Sequence, residues 1–217
     1  MALAELKEQS PKLYTVEEYL KIDRESEERY EYLDGEIFLR TNESLRHGDI
    51  SVNLISEISF ALKRKSCRVW ATTRKTRSDD FPVLVGKSKK GLFSYPDLIV
   101  ICGEPKFQDN FKDIVLNPKI VIEILSETTE LFDRTDKFFR YRMFNDTLTD
   151  YILVSQNKPQ VEHYVRDENN SWKLVTYFGL DETLFIESIK CSVKLSEIYD
   201  RVKFTRKELA LIKLLKK

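Results

Sequence analysis

Two short apolar runs, Tyr95 to Ile101 (YPDLIVI) and Lys119 to Leu125 (KIVIEIL), constrain this chain more than any other feature. Both are rich in β-branched residues and too short for helices, so they read as central strands covered on both faces. Each nevertheless carries one acid, Asp97 after Pro96 and Glu123 between Ile122 and Ile124. A buried carboxylate without a partner is costly to desolvate, so something must compensate both. A structural salt bridge or hydrogen bonds would suffice for a lone acid; two acids followed by an ordered polar set open a chemical reading as well.

That set follows the second run. Residues Thr128 to Phe144 read as a helix with Leu131, Phe132, Thr135, Phe138, Phe139 and Met143 on its apolar side. Asp133, Lys137 and Tyr141 recur every fourth residue, so they share a separate stripe that can present an ammonium beside the strand acids. Tyr151 to Val154 is the next strand, giving the order strand, helix, strand.

Upstream, Thr15 is an N-cap with Glu18 at its capping-box position, and Asp34-Gly35 joins Tyr30–Leu33 to Glu36–Arg40 as a hairpin. Apolar residues from Ile50 to Leu62 recur at helical spacing within a helix expected over 45–65, and Cys67 to Thr73 alternates like a strand. Strands are expected at Val161 to Val165, holding His163 on the surface, and at Lys173 to Tyr177. A basic amphipathic helix is expected from Thr205.

The 217 residues hold 36 basic and 36 acidic side chains, so any polyanion needs a local basic patch rather than a global field. Residues 17–36 carry nine acids against three bases, whereas residues 63–90 carry ten bases against two acids. The second segment, with Arg74, Lys75 and Arg77, either contacts phosphates or is a solvated helix end followed by a lysine-rich loop. Cys67, Cys102 and Cys191 are odd in number and widely spaced, which fits neither a disulfide framework nor a zinc site; Cys102 reads as core packing, and a reducing cytoplasm is expected. No apolar stretch is long enough for a signal peptide or a membrane span, so no membrane partner is expected.

Two carboxylates and a lysine suit phosphodiester hydrolysis. Hard oxygen ligands hold Mg²⁺ or Mn²⁺, the ion polarises phosphate and lowers the pKa of a water, and the ammonium orients or stabilises hydroxide. Spacing alone also permits Lys137 simply to pair with Asp133 on the helix surface.

YEYLDGEI (30–37), His47 opening the long helix, YPDLIVI, VIEILSETT (121–129), the Asp133, Lys137, Tyr141 spacing and DYILV (150–154) together resemble the Uma family of restriction-endonuclease-like proteins, in the PD-(D/E)XK nuclease superfamily. The resemblance spans roughly residues 14–200, leaving 1–13 as an N-terminal arm and 201–217 as a C-terminal basic helix. It implies an α/β (α+β) restriction-endonuclease-like core, a mixed central β-sheet flanked by helices with additional β-hairpins. It also implies a divalent-metal site, with Asp97 and Glu123 as ligands and the Ile124 carbonyl as a further oxygen. Leu125 stands where the signature places its lysine; Lys137 matches the displaced lysine of the Uma pattern. Glu31 matches an early acid that orients a water or a second metal. His47 suits a phosphate contact or a helix-start hydrogen bond, and Ser126, Asp133 and Tyr141 are expected to support the ligands or hold Lys137.

The expected function is therefore a Mg²⁺- or Mn²⁺-dependent endonuclease acting on DNA. The alternative is a nuclease fold kept as a nucleic-acid-binding or interaction module without turnover. A homodimer is expected, with Leu209, Ile212 and Leu215 of the C-terminal helix as a packing stripe.

Overall fold

The Thr15 hydroxyl accepts from the Glu18 N–H (3.2 Å) while the Glu18 carboxylate accepts from the Thr15 N–H (2.7 Å), the reciprocal cap that opens α1 (Val16–Glu25). Asp34 and Gly35 both take positive φ, 46° and 102°, in the two-residue turn between β1 (Tyr30–Leu33) and β2 (Glu36–Leu39). Ser44 caps α2 (Leu45–Leu62), which stops before Lys65 because Lys63 leaves helical geometry and Arg64 turns to a φ of 65°. The structure, a computed structural model, describes residues 12–40, 43–71, 74–78 and 90–215, without the side chains of 211–215.

Three strands of the first half come next, β3 (Cys67–Ala71), β4 (Lys75–Ser78) and β5 (Leu92–Ser94). They are followed by β6 (Leu98–Cys102), β7 (Ile114–Val115) and β8 (Ile120–Leu125). Helical turns α3 (Glu130–Phe132) and α4 (Phe138–Phe144) lead to β9 (Asp150–Ser155), β10 (Gln160–Arg166) and β11 (Trp172–Phe178). A β12 (Thr183–Ile186) and β13 (Cys191–Lys194) hairpin, α5 (Leu195–Ile198) and α6 (Arg206–Leu215) complete the chain.

Six strands form one sheet in the order β11-β10-β9-β8-β6-β3, with β8 and β9 parallel and the other neighbours antiparallel. A five-stranded sheet runs β2-β1-β5-β4-β7. Alternation along β6 and β8 divides the core. Leu98, Val100, Ile122 and Ile124 pack with Ile50, Leu54 and Ile58 of α2 and with β13 and α5, whereas Ile99, Ile101 and Val121 pack with Phe138 and Tyr141 of α4. A third cluster joins Tyr19 and Leu20 of α1 to Tyr32 and Phe93 in the smaller sheet. This is the α+β restriction-endonuclease-like core: a mixed central sheet flanked by helices, with extra hairpins.

Several expectations are corrected. Cys67 and Cys102 face each other in the β3–β6 register and form a disulfide, leaving Cys191 as the free, buried thiol. Only strand pairing brings two cysteines 35 residues apart together. His163 is 2% exposed, not superficial, because its Nε2 sits 2.7 Å from Asp150 Oδ1 in the neighbouring strand. Among the described residues no helix is long and apolar enough to cross a membrane. Residues 1–11 of the arm and the stretch 79–89, with Lys87 and Lys89, lie outside the described residues, as do the Ile212 and Leu215 side chains of the expected dimer stripe.

Candidate metal centre

Leu98 pairs with Ile122 and Ile99 with Val121 across β6 and β8. One further step of that antiparallel register sets Asp97 opposite Glu123, and directly opposed residues share a sheet face. Both are buried, at 4% and 3% exposure. Asp97 Oδ2 accepts the Ile124 N–H at 2.7 Å and lies 3.1 Å from His47 Nε2, while Oδ1 pairs with Arg40. Burial pushes the Asp97 carboxyl up, but His47, Arg40 and the Ile124 N–H outweigh it and hold it below the usual carboxylate range.

The helix after β8 buries Phe138 of its apolar side but exposes much of the rest. Leu131, Phe139 and Met143 are 76%, 48% and 54% exposed, whereas Asp133, Lys137 and Tyr141 are buried. A π-helical turn, Asp133–Lys137, joins α3 to α4, and the Tyr151 hydroxyl donates to the Asp133 carbonyl at 2.8 Å. Lys137 Nζ then lies 2.9 Å from Glu123 Oε1 and 3.1 Å from Asp133 Oδ1. Burial pulls the ammonium down, yet Asp133, Glu123 and Glu31 carry it well above its ordinary value, so it stays charged. Burial drives Glu123 well above the carboxylate range, with Asp133 and Asp97 adding to it and Lys137 opposing. The Tyr141 hydroxyl is 2.7 Å from Ser94 Oγ.

Glu31, on β1, accepts the Tyr95 N–H at 2.8 Å and so fixes the backbone that enters Pro96-Asp97. Its charge acts on both Lys137 and Arg40. His47 is 5% exposed and stands between two acids, with Nδ1 2.9 Å from Glu43 Oε2 and Nε2 facing Asp97. Burial lowers its pKa, but Asp97 and Glu43 outweigh that and raise it. The Ser126 hydroxyl accepts the Thr129 N–H at 3.1 Å and bonds Thr128 and Thr129, closing the turn into α3.

The expected phosphate contacts are otherwise engaged. Lys75 is 1% exposed, with its ammonium paired to Asp23 and, at 2.9 Å, to Asp113, because β4 runs through the interior of the smaller sheet. Arg77 is 9% exposed and donates to Gln108 Oε1 at 3.3 Å; Arg74 lies over the Trp70 ring and donates to the Lys112 carbonyl. His47 points inward to the acids. Arg40 and Glu43, unremarked in the sequence, belong to the centre.

The donor set fits a divalent cation. Glu43, His47 and Asp97 each offer one ligand atom, and these lie within 4.8 Å of one another. Two buried ligand-type atoms, His47 Nδ1 and Glu123 Oε1, have close ionic neighbours but no aligned hydrogen bond. Glu31, Glu43, Asp97, Glu123 and Asp133 are the acids whose fields act on Arg40, Lys137 and His47 here.

Such a core and such a centre define a protein with the PD-(D/E)XK-like nuclease fold. A family model described as "Putative restriction endonuclease" matches residues 16–196, and the chain belongs to this family, Uma2. Two uncharacterized proteins of Synechocystis sp. (strain ATCC 27184 / PCC 6803 / Kazusa) are similar along most of their length. The protein sll1609 is 30% identical over 168 residues, covering 77% of this chain and 89% of that protein. The protein slr1290 is 30% identical over 194 residues, covering 89% and 95%. The crystal structure of "a putative nuclease belonging to DUF820" from Anabaena variabilis ATCC 29413 superposes with a TM-score of 0.68 at 17% identity, over 88% of this chain and 99% of that one. That likeness is one of fold.

Proposed function

We propose that the protein is a Mg²⁺- or Mn²⁺-dependent endonuclease that hydrolyses phosphodiester bonds of DNA. The observation that carries this reading is the meeting of the Lys137 ammonium with Glu123, on the strand that faces Asp97. Asp97, Glu123 and the Ile124 carbonyl would hold the ion, with Glu43 and His47 as further donors on the Asp97 side. A bound divalent ion supplies Lewis acidity toward a phosphate oxygen and a lowered pKa for a water. The chain's own part is positional. The Ile124 N–H and His47 fix the Asp97 carboxylate, and Asp133 holds the Lys137 ammonium where it can stabilise hydroxide or the developing charge on phosphate. Glu31, anchored by the Tyr95 N–H, would orient a water.

The alternative, a nuclease fold that binds nucleic acid without turnover, is favoured by one feature: Arg40 and Lys137 already neutralise Asp97 and Glu123 internally. The deciding experiment is cleavage of supercoiled plasmid with Mg²⁺ or Mn²⁺, using wild type and the Asp97→Asn and Lys137→Met variants checked for native circular dichroism. The endonuclease reading predicts metal-dependent nicking that drops at least about 100-fold in both variants. Metal-independent binding with no cleavage by wild type would favour the alternative.

A further inference from the structure

Arg40 stands where the centre would receive its ion. It follows β2, and its backbone N–H donates to the Arg29 carbonyl at 2.9 Å, which anchors the residue to the hairpin. Its guanidinium reaches inward: Nη1 donates to the Tyr95 carbonyl, and Nη2 bridges Asp97 Oδ1 and, at 3.1 Å, Glu43 Oε1. Those are the two carboxylates of the Glu43, His47, Asp97 group. The acids whose charges act on Arg40 are Asp97, Glu31, Glu123 and Glu43, nearly the full set available to a metal.

We infer that Arg40 is a built-in counter-cation of the centre, and that a divalent ion binds by displacing its guanidinium from Asp97 and Glu43. This rests on the metal-dependent reading above. A guanidinium has five donors and no lone pair, so it cannot serve as a ligand, and it does not lose its proton in proteins. It can vacate Asp97 only by moving. While it is docked, one Asp97 oxygen carries the guanidinium and the other carries the Ile124 N–H and the contact with His47. The ion-competent form is then the minor one, and apparent affinity is reduced by its fraction. Arg40 thus acts as a positioning and affinity-setting residue that keeps the acids ordered without metal.

The test is titration of Mn²⁺ into the full chain by calorimetry, with thermal unfolding midpoints measured with and without Mn²⁺. Wild type is compared with Arg40→Met, which keeps the apolar stem, and with Arg40→Lys, whose ammonium cannot span both carboxylates and the Tyr95 carbonyl. Displacement predicts Mn²⁺ binding about 10- to 100-fold tighter in Arg40→Met and intermediate in Arg40→Lys. It also predicts a lower midpoint without metal in Arg40→Met and a larger rise on adding Mn²⁺. A purely structural Arg40 would lower stability and metal affinity together; a folded Arg40→Met that binds Mn²⁺ no more tightly than wild type overturns the inference. Should Arg40→Met not fold, Arg40→Lys decides by the same comparison. Absence of Mn²⁺ binding in wild type and both variants would instead overturn the metal reading itself, and this inference with it.

Discussion

Lys137 Nζ is 2.9 Å from Glu123 Oε1 although the two sit on different elements, one in the π-helical turn and one in β8. Both side chains are almost wholly excluded from solvent. Removing one partner from such a pair leaves an uncompensated buried charge, a loss of about 3–5 kcal/mol in comparable cases. Lys137→Met is expected to lower stability in urea by about that amount. Glu123→Gln in the same chain should recover part of it, giving a coupling energy well away from zero in a double-mutant cycle. Additive losses would mean that the two groups do not depend on each other.

The helical turns after β8 set exposed apolar positions beside buried polar ones. Leu131 is 76% exposed, so Leu131→Gln should change stability by no more than about 0.5 kcal/mol. Tyr141 is buried and shares a hydrogen bond with Ser94, so Tyr141→Phe should cost about 1 kcal/mol or more. Denaturant midpoints of the two variants check this directly.

The four-residue spacing marked the stripe that meets the strand acids, but not how much of the apolar side would stay in solvent. Of the expected apolar side Phe138 is buried while Leu131, Phe139 and Met143 are exposed, and Asp133, Lys137 and Tyr141 are buried as well, where Lys137 meets Glu123. Asp97, Glu123, Lys137 and the flanking strands were legible because each interrupts or follows an unmistakable local pattern. Arg40 and Glu43 were not, since their partner Asp97 is 57 positions from Arg40 and no periodicity links them. The same long-range pairing misled the reading of the basic segment. Lys75 looks like a surface cation in a charged run, but Asp23, 52 positions away, receives its ammonium inside the protein. The polar tetrapeptide of β4 has no apolar alternation at all, and only its paired neighbours make it a strand.

The disulfide gives a chemical count. Denatured, unreduced protein should expose one alkylatable thiol, Cys191, and three only after reduction. Replacing both Cys67 and Cys102 by alanine should reduce stability by about 2–4 kcal/mol, the usual contribution of a bridge closing a loop of this order. Three reactive thiols without reductant would contradict the pairing.

Acid sensitivity should arise at Asp113. Burial pushes its carboxyl up, but hydrogen bonds from Arg24 and Lys75 outweigh that and hold it at about 2. A depressed folded-state value means that the stabilisation is fully present above the unfolded value near about 4 and is lost as pH falls toward 2. Between about pH 4 and pH 2, wild type should therefore lose stability more steeply than Asp113→Asn, as followed by urea midpoints across that window. Parallel profiles would remove Asp113 from the acid response.

The most direct test of the central claim is anomalous diffraction from crystals of the wild-type protein soaked in Mn²⁺. A Mn²⁺ peak is expected in contact with the carboxylates of Asp97 and Glu123, beside the Lys137 ammonium. Full-strength crystals soaked at saturating Mn²⁺ that show no peak between those two acids would contradict it.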